Sequence, residues 1–179
     1  LRNHPMAQVK IPSSEKIAEY KEMVHNRHPN LHDVWCTMDG LKITLEQSGD
    51  ALVQEQYYNG WTHDHYVSSV ICFCPDGTIP IVFVNVPGAV HDSQIADYGN
   101  IYDKLQTVYY EWDGAQCTMD SAFGNVTGEF FIKSSQDLIH IHNYHKQNIA
   151  CDATSMQQSA EWGMRAFQSS MPRMKDQIK

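Results

Sequence analysis

Ile17, Tyr20 and Val24 stand three and four residues apart, the spacing that gives a helix one apolar face. Pro12-Ser13-Ser14 before Glu15 reads as the start of that helix, and His28-Pro29-Asn30 as its end. The period then changes. Val34-Trp35-Cys36-Thr37-Met38 reads as a short strand that runs into Asp39-Gly40, and residues 44–60 are polar and irregular up to a turn signal at Asn59-Gly60. Tyr66–Phe73 and Ile79–Val86 are both β-prone, and Pro75-Asp76-Gly77 between them predicts a tight turn, hence a hairpin, which Pro87-Gly88 ends. Asp92 and Ser93 read as the cap of a helix carrying Ile95, Ile101, Leu105 and Val108, broken near Gly99. Ala115–Met119 alternates as a short strand ending in Asp120, and Phe130-Phe131-Ile132 reads as another. Residues 134–152 read as a polar loop. The last element is a helix from about Ala153 to Ser170, with Met156, Ala160, Met164, Phe167 and Met171 as its apolar stripe. Helix, strand, hairpin, helix, strand, loop, helix is the order of an α/β chain, a mixed sheet with helices packed against it.

Composition narrows this only a little. A chain of 179 residues with 42% hydrophobic and 19% charged residues is of ordinary globular make-up, neither disordered nor collagen-like, and its length suits one domain. No stretch approaches the roughly 18 consecutive apolar residues of a membrane helix, and Leu1–Lys10 lacks an apolar signal core. Cys36, Cys72, Cys74, Cys117 and Cys151 are odd in number and irregularly spaced, which argues against a disulfide framework. They read as buried small hydrophobes of an intracellular, reducing compartment. The one N-x-T triplet, Asn125-Val126-Thr127, is weak evidence for secretion. The net charge of −8 and pI near 5.6 sit awkwardly with a nucleic-acid partner, because phosphate contact needs Lys and Arg.

The chemistry lies in the carboxylates. Cys36-Thr37-Met38-Asp39-Gly40 and Cys117-Thr118-Met119-Asp120-Ser121 each run a short apolar strand straight into an Asp. Carboxylates at the ends of neighbouring strands would converge at the rim of the sheet, where ligand sites of such sheets tend to sit. Two carboxylates that close repel each other unless a cation lies between them, and oxygen-only ligands select hard ions, Mg²⁺ or Mn²⁺. Glu161 is the expected third carboxylate: it lies off the apolar stripe of the last helix, on a polar face with Gln157, Arg165 and Gln168. Against this, an Asp before Gly is most often a turn residue and a polar helix stripe is usually a solvated face. Spacing and composition alone leave that plainer reading ahead.

Further segments change the balance. Val34–Leu41, Tyr57–Tyr66, Pro75-Asp76-Gly77, Pro87–Ser93, Met119–Phe123, Ile132–Gln136 and Ser159–Ala166 together, in this order, resemble the Harbinger-type DDE superfamily transposases, also called DDE superfamily endonucleases. The resemblance runs from about residue 11 to the end. It implies a ribonuclease-H-like (retroviral-integrase-like) fold, a mixed sheet flanked by helices. It implies a nuclear enzyme that cleaves and transfers strands at transposon ends with two divalent cations, Mg²⁺ or Mn²⁺. It places the catalytic, metal-holding triad on Asp39, Asp120 and Glu161, and implies that their strands are neighbours. His91-Asp92 is also a signature of the family. Asp92 reads first as a helix cap standing behind the metal ligands and second as a metal contact, with His91 and His65 beside it. Arg165 and Lys133 are the expected DNA contacts. The expected organisation is one nuclease catalytic domain over residues 1–179, with 1–30 a helical lead-in and no upstream DNA-binding domain in the sequence. DNA, a separate DNA-binding domain or protein, and further copies of the chain are the expected partners. The chain departs from the family where Gln157-Gln158 replaces the usual basic residue ahead of the Glu, which puts phosphate contact in doubt. It therefore reads as a truncated, degenerate or domesticated copy, and a catalytically inactive protein-binding module is the alternative.

Other signals are weaker. His63-Asp64-His65 and His140, His142 and His145 suggest zinc only by residue type, since no Cys pair sits at finger spacing and Cys72 and Cys74 share one face of a strand. Nothing places a Cys beside a His and an orienting acid, as a thiol hydrolase requires. The phosphate-binding G-x-x-x-x-G-K-[ST] and G-x-G-x-x-G patterns are absent. Trp35, Trp61, Trp112 and Trp162 have faces that stack on bases, but core packing and rim burial are their expected roles.

Overall fold

The computed structural model describes residues 8–124, 128–134 and 144–170. The triplet Asn125-Val126-Thr127, the segment Ser135-Gln136, His140, His142 and Met171 lie outside them, as does the side chain of Phe167. Helix α1, Ser14–Arg27, is capped by Ser13, and buries the expected Ile17, Tyr20 and Val24. The Tyr20 hydroxyl donates to Asp76 Oδ2 at 2.6 Å, tying this helix to the hairpin turn.

Strand β1, Val34–Thr44, is longer than its apolar start suggests and runs through Asp39 and Gly40 rather than ending there. The reason is its partner. Strand β3, Asp64–Phe73, pairs antiparallel with β1 from Thr37↔Phe73 to Thr44↔Tyr66, so a ladder carries the polar Lys42–Thr44 stretch. The hairpin forms as expected, with β4 at Ile81–Pro87. Before it come a short helix, α2 at Ala51–Tyr57, and a two-residue strand, β2 at Tyr58–Asn59. No residue of α2 is buried, so it has no apolar stripe to announce it; the Asp50 side chain caps it by accepting from Leu52 N at 2.9 Å.

Helices α3, Asp92–Tyr98, and α4, Ile101–Glu111, are separated at Gly99 as expected. A Cβ on Gly99 would stand 2.7 Å from Phe83 of β4, so the break between the helices approaches that strand only because the side chain is missing. The cap of α3 is His91, whose ring accepts from Ser93 N, and Asp92 is the first helical residue; the expected Asp92–Ser93 cap is thereby corrected. Strands β5, Gln116–Asp120, and β6, Phe131–Ser134, are parallel to β1 and to each other. Helix α5 spans Tyr144–Ser170 and so starts nine residues ahead of the expected Ala153. Ile149, Ala150 and Ala153 continue the apolar stripe of Met156 backwards, beneath polar neighbours that disguise it.

The path of the sheet is β2-β3-β1-β5-β6, with β4 also on β3. Cys36, Met38, Cys117 and Met119 pack on one face with Ile95, Ile101, Leu105 and Val108 of α3 and α4. Leu41, Ile71 and Phe73 pack on the other with Ala160 and Met164 of α5. This is the mixed α/β sheet flanked by helices of the ribonuclease-H-like arrangement, and β1 and β5 are neighbours as that fold requires.

Candidate active site

Alternation along two strands sets the site. Thr37 and Leu41 turn toward α5, so Asp39 between them lies on the same face. On β5, Cys117 and Met119 turn toward α3 and α4, which leaves Thr118 and Asp120 on the α5 face. The parallel register pairs Thr37 with Thr118 and Met38 with Met119. One step on, Asp39 and Asp120 stand side by side on strands about 4.8 Å apart. Strand β5 stops at Asp120 while β1 continues to Thr44, so the sheet narrows at the two carboxylates. Asp120 Oδ1 accepts from Ser121 N at 2.6 Å and starts a single 3₁₀ turn, Ser121–Phe123. Asp39 Oδ1 accepts from Gly40 N at 2.8 Å.

Helix α5 lies along β1 and turns only part of its polar face inward; Glu161 and Arg165 stay exposed, as a polar stripe usually does. Gln157 is buried: its Oε1 accepts from Thr37 Oγ1 at 3.0 Å and its Nε2 donates to Met38 O at 2.9 Å. Near the other end, Gln168 Nε2 donates to Lys42 O at 3.3 Å. Glu161 is one turn beyond Gln157, alongside the stretch of β1 that holds Asp39. Its side chain is 54% exposed, and Arg165 Nη2 lies 3.9 Å from its Oε2.

Asp92 approaches from the opposite face. A Cβ on Gly40 would stand 2.7 Å from Asp92 Oδ2, so the glycine is what admits that carboxylate to β1. Burial raises the pKa of Asp92 and the charge of Asp120 adds to it, while Lys42 and His91 draw it down. Asp39 is pushed up to about 6, first by burial and then by the charges of Asp120, Glu161 and Asp92; the hydrogen bond from Gly40 opposes the shift. Four carboxylates from β1, α3, β5 and α5 thus share one electrostatic neighbourhood.

The donors are all oxygen, the chemistry that suits Mg²⁺ or Mn²⁺. Asp39 is also costly to ionise without a cation beside it. The residues therefore fit a hard divalent ion in donor type. Among the described residues, however, no three His, Cys, Asp or Glu side chains stand close enough to form a ready-made cage. Glu161, at the end of a long exposed side chain, is the carboxylate with the most rotamers available to close that gap.

The remaining expectations divide. His91 adjoins Asp92, its Nδ1 bonded with Ser93 Oγ at 3.0 Å. His65 does not reach the site. Asp39 pairs with Ile71, and His65 lies six residues back along β3, about 20 Å away, packed against the Tyr58 ring. The Lys133 ammonium is bonded to the Gly124 carbonyl and set over the Phe131 ring. Arg165 is 74% exposed beside Glu161. His63 bonds the Tyr58 hydroxyl, and no zinc-like cluster occurs among the described residues. Cys36, Cys72, Cys74 and Cys117 are buried as expected, Cys151 is exposed, and burial holds the Cys36 and Cys117 thiols protonated. Trp35 is core, but Trp61 and Trp162 are 92% and 61% exposed, against the expectation of burial. Lys42 is a residue that the sequence does not advertise; period two from Gly40 is the available signal for it. Gln157, expected only on the polar face of the last helix, is buried against Thr37 and Met38.

Residues 38–160 match the family described as DDE superfamily endonuclease, more than half of the chain. The matched span contains Asp39, Asp92 and Asp120 and stops one residue short of Glu161. No curated protein and no solved structure matches the chain.

Proposed function

The chain belongs to the DDE superfamily endonucleases, and from that membership we propose that it is the metal-dependent DNA-cleaving and strand-transferring core of a Harbinger-type transposase, or of a protein derived from one. The observation that supports this best is the register of β1 and β5, which sets Asp39 beside Asp120 where the sheet narrows, inside the matched span. Asp39 and Asp120 would hold the cations jointly and Glu161 would complete the set, with Asp92 and His91 behind them. Bound divalent metal supplies charge neutralisation at the scissile phosphate and an activated water or 3′-hydroxyl. The protein's own part is placement. Gly40 N orients the Asp39 carboxylate, Ser121 N orients Asp120, and Gln157 anchors α5 to β1 one turn before Glu161. Arg165, beside Glu161, and Lys42, whose charge reaches Asp92, are the candidates for phosphate contact, and a separate DNA-binding domain or protein in the nucleus would supply the rest.

The test is Mn²⁺-stimulated nicking of a plasmid or a transposon-end duplex. Asp120→Asn should lower it by at least about a hundredfold, as removal of a principal charge-stabilising group does, with the circular-dichroism spectrum unchanged. Equal cleavage by the variant would remove the assignment. A second reading, a catalytically inactive or domesticated derivative that binds a protein partner, is favoured by the net charge of −8 and by the absence of a preformed three-residue cage among the described residues. Calorimetry separates the two: Mn²⁺ binding in the millimolar range or tighter that disappears in Asp120→Asn supports the nuclease, and no binding supports the module.

A further inference from the structure

We infer that the cleft beside Asp92 is a nucleotide subsite, in which Trp61 stacks on a base of an unpaired DNA strand while Lys42 meets its phosphate. The inference rests on the nuclease reading and names the part of the substrate that lies next to the carboxylates.

Trp61 is the most exposed large apolar side chain of the described residues, at 92%. A single bare apolar residue is ordinary by itself; what distinguishes Trp61 is the cleft it borders. The backbone beneath it is tied down. Asn59 Oδ1 accepts from Trp61 N at 3.0 Å and from Thr62 N at 3.1 Å, and Asn59 Nδ2 donates to Gly88 O at 2.8 Å. Gly88 is itself locked in place: a Cβ there would stand 2.5 Å from the Tyr66 carbonyl. An indole carried on a fixed turn has only its two side-chain torsions left to order when its face stacks.

That face borders a cleft of about 450 Å³, lined by Lys42, Asn59, Tyr66, His91 and Asp92 among others. The volume is in the usual range for small-ligand sites. Lys42 stands 5.1 Å from the centre of the Tyr66 ring, which steadies its ammonium at the wall. Asp92 joins the cleft to the acidic centre, because its carboxylate abuts Gly40, next to Asp39. A π-face, one ammonium and hydrogen-bonding edges within one cavity are the parts that hold a nucleotide. Bases stacked within a duplex have no free face to offer, so the occupant is unpaired. A cationic peptide, stacking on Trp61 and pairing with Asp92, is the competing occupant.

The experiment is fluorescence anisotropy at low salt with labelled oligothymidine of about a dozen nucleotides, a length within the usual single-strand site sizes, and with a duplex of equal length. The wild type should prefer the single strand. Trp61→Ala should weaken single-strand binding about tenfold, within the range of one lost stacking contact, and leave duplex binding within about twofold. Trp61→Phe should recover most of the loss, since it restores a π-face. Single-strand affinity unchanged in Trp61→Ala, equal losses on both probes, or no single-strand preference in the wild type would each overturn the subsite. So would an oligoarginine peptide that competes with oligothymidine in the wild type and loses its own affinity in Trp61→Ala. Asp120→Asn keeps the two readings apart. If it binds oligothymidine normally but does not cleave, nuclease and subsite both stand. If the wild type cleaves and Trp61→Ala binds like it, only the subsite falls.

Discussion

Asp39 concentrates the physics of the site in one side chain. Its carboxyl is raised to about 6 by burial and by three like charges, so the folded protein holds that proton more tightly than the unfolded chain does. The associated stability is fully present below the unfolded pKa and is lost as pH rises through about 6. At neutral pH the ionised group is therefore a burden of up to about 3 kcal/mol. Asp39→Asn should raise the melting temperature at pH 7.5 by several degrees and give no gain near pH 4, while removing Mn²⁺-dependent cleavage. Scanning calorimetry at both pH values checks this, and a destabilised variant at pH 7.5 would contradict it. At this scale the pairing of the two strands is legible in the sequence: the repeated Cys-Thr-Met-Asp segments do lie on neighbouring parallel strands. Glu161 enters through its charge on Asp39, and its role as third acid is part of the proposal. Asp92 against Gly40 was not legible, because that contact joins residues far apart in sequence through the absence of a Cβ. His65 lies away from the site because nearness to a motif in sequence says nothing of distance along a strand.

Between elements, the decisive joint is α5 on β1. Gln157 satisfies the Thr37 hydroxyl and the Met38 carbonyl one residue before Asp39, and Gln168 reaches Lys42. Eleven helical residues rise about 16 Å, and four strand residues about 13 Å, so the two attachments agree on one alignment. Gln157→Ala would strand two buried polar groups. It should cost about 1–3 kcal/mol in urea unfolding, and weaken Mn²⁺ binding several-fold because Glu161 loses its anchor. Unchanged stability in that variant would show the clamp to be idle. The hairpin and the Gly99 break could be foreseen because turn residues mark both. Helix α2 and the first turns of α5 could not, since the former buries nothing and the latter hides its stripe among polar residues. The full length of β1 depends on β3, which no local pattern of β1 encodes.

For the molecule as a whole, the excess of acid is the controlling fact. Carboxylates gathered without a cation oppose folding, so a divalent ion that binds only the native state should stabilise it, by about 2.7 kcal/mol at a hundred times its dissociation constant. Protons compete for the same oxygens. The rise in melting temperature with Mn²⁺ should be clear at pH 7.5, should shrink by more than half at pH 5, below the raised pKa of Asp39, and should vanish in Asp120→Asn. A shift that persists at pH 5 would place the ion elsewhere. Sequence alone conveyed the sign of this charge but not its arrangement, which four separate elements produce only when folded.

The extra length of β1 bears on how so acidic a body could receive a polyanion. Beyond Asp39 the β-ladder continues on one side only among the described residues, and on the other flank the Asp39 carboxylate takes Gly40 N and Gln168 takes Lys42 O. The main chain of that flank is thus spent on setting the carboxylate and seating α5. A phosphodiester arriving there would have to be met by side chains or by cations, which ties its reception to whatever neutralises the acids.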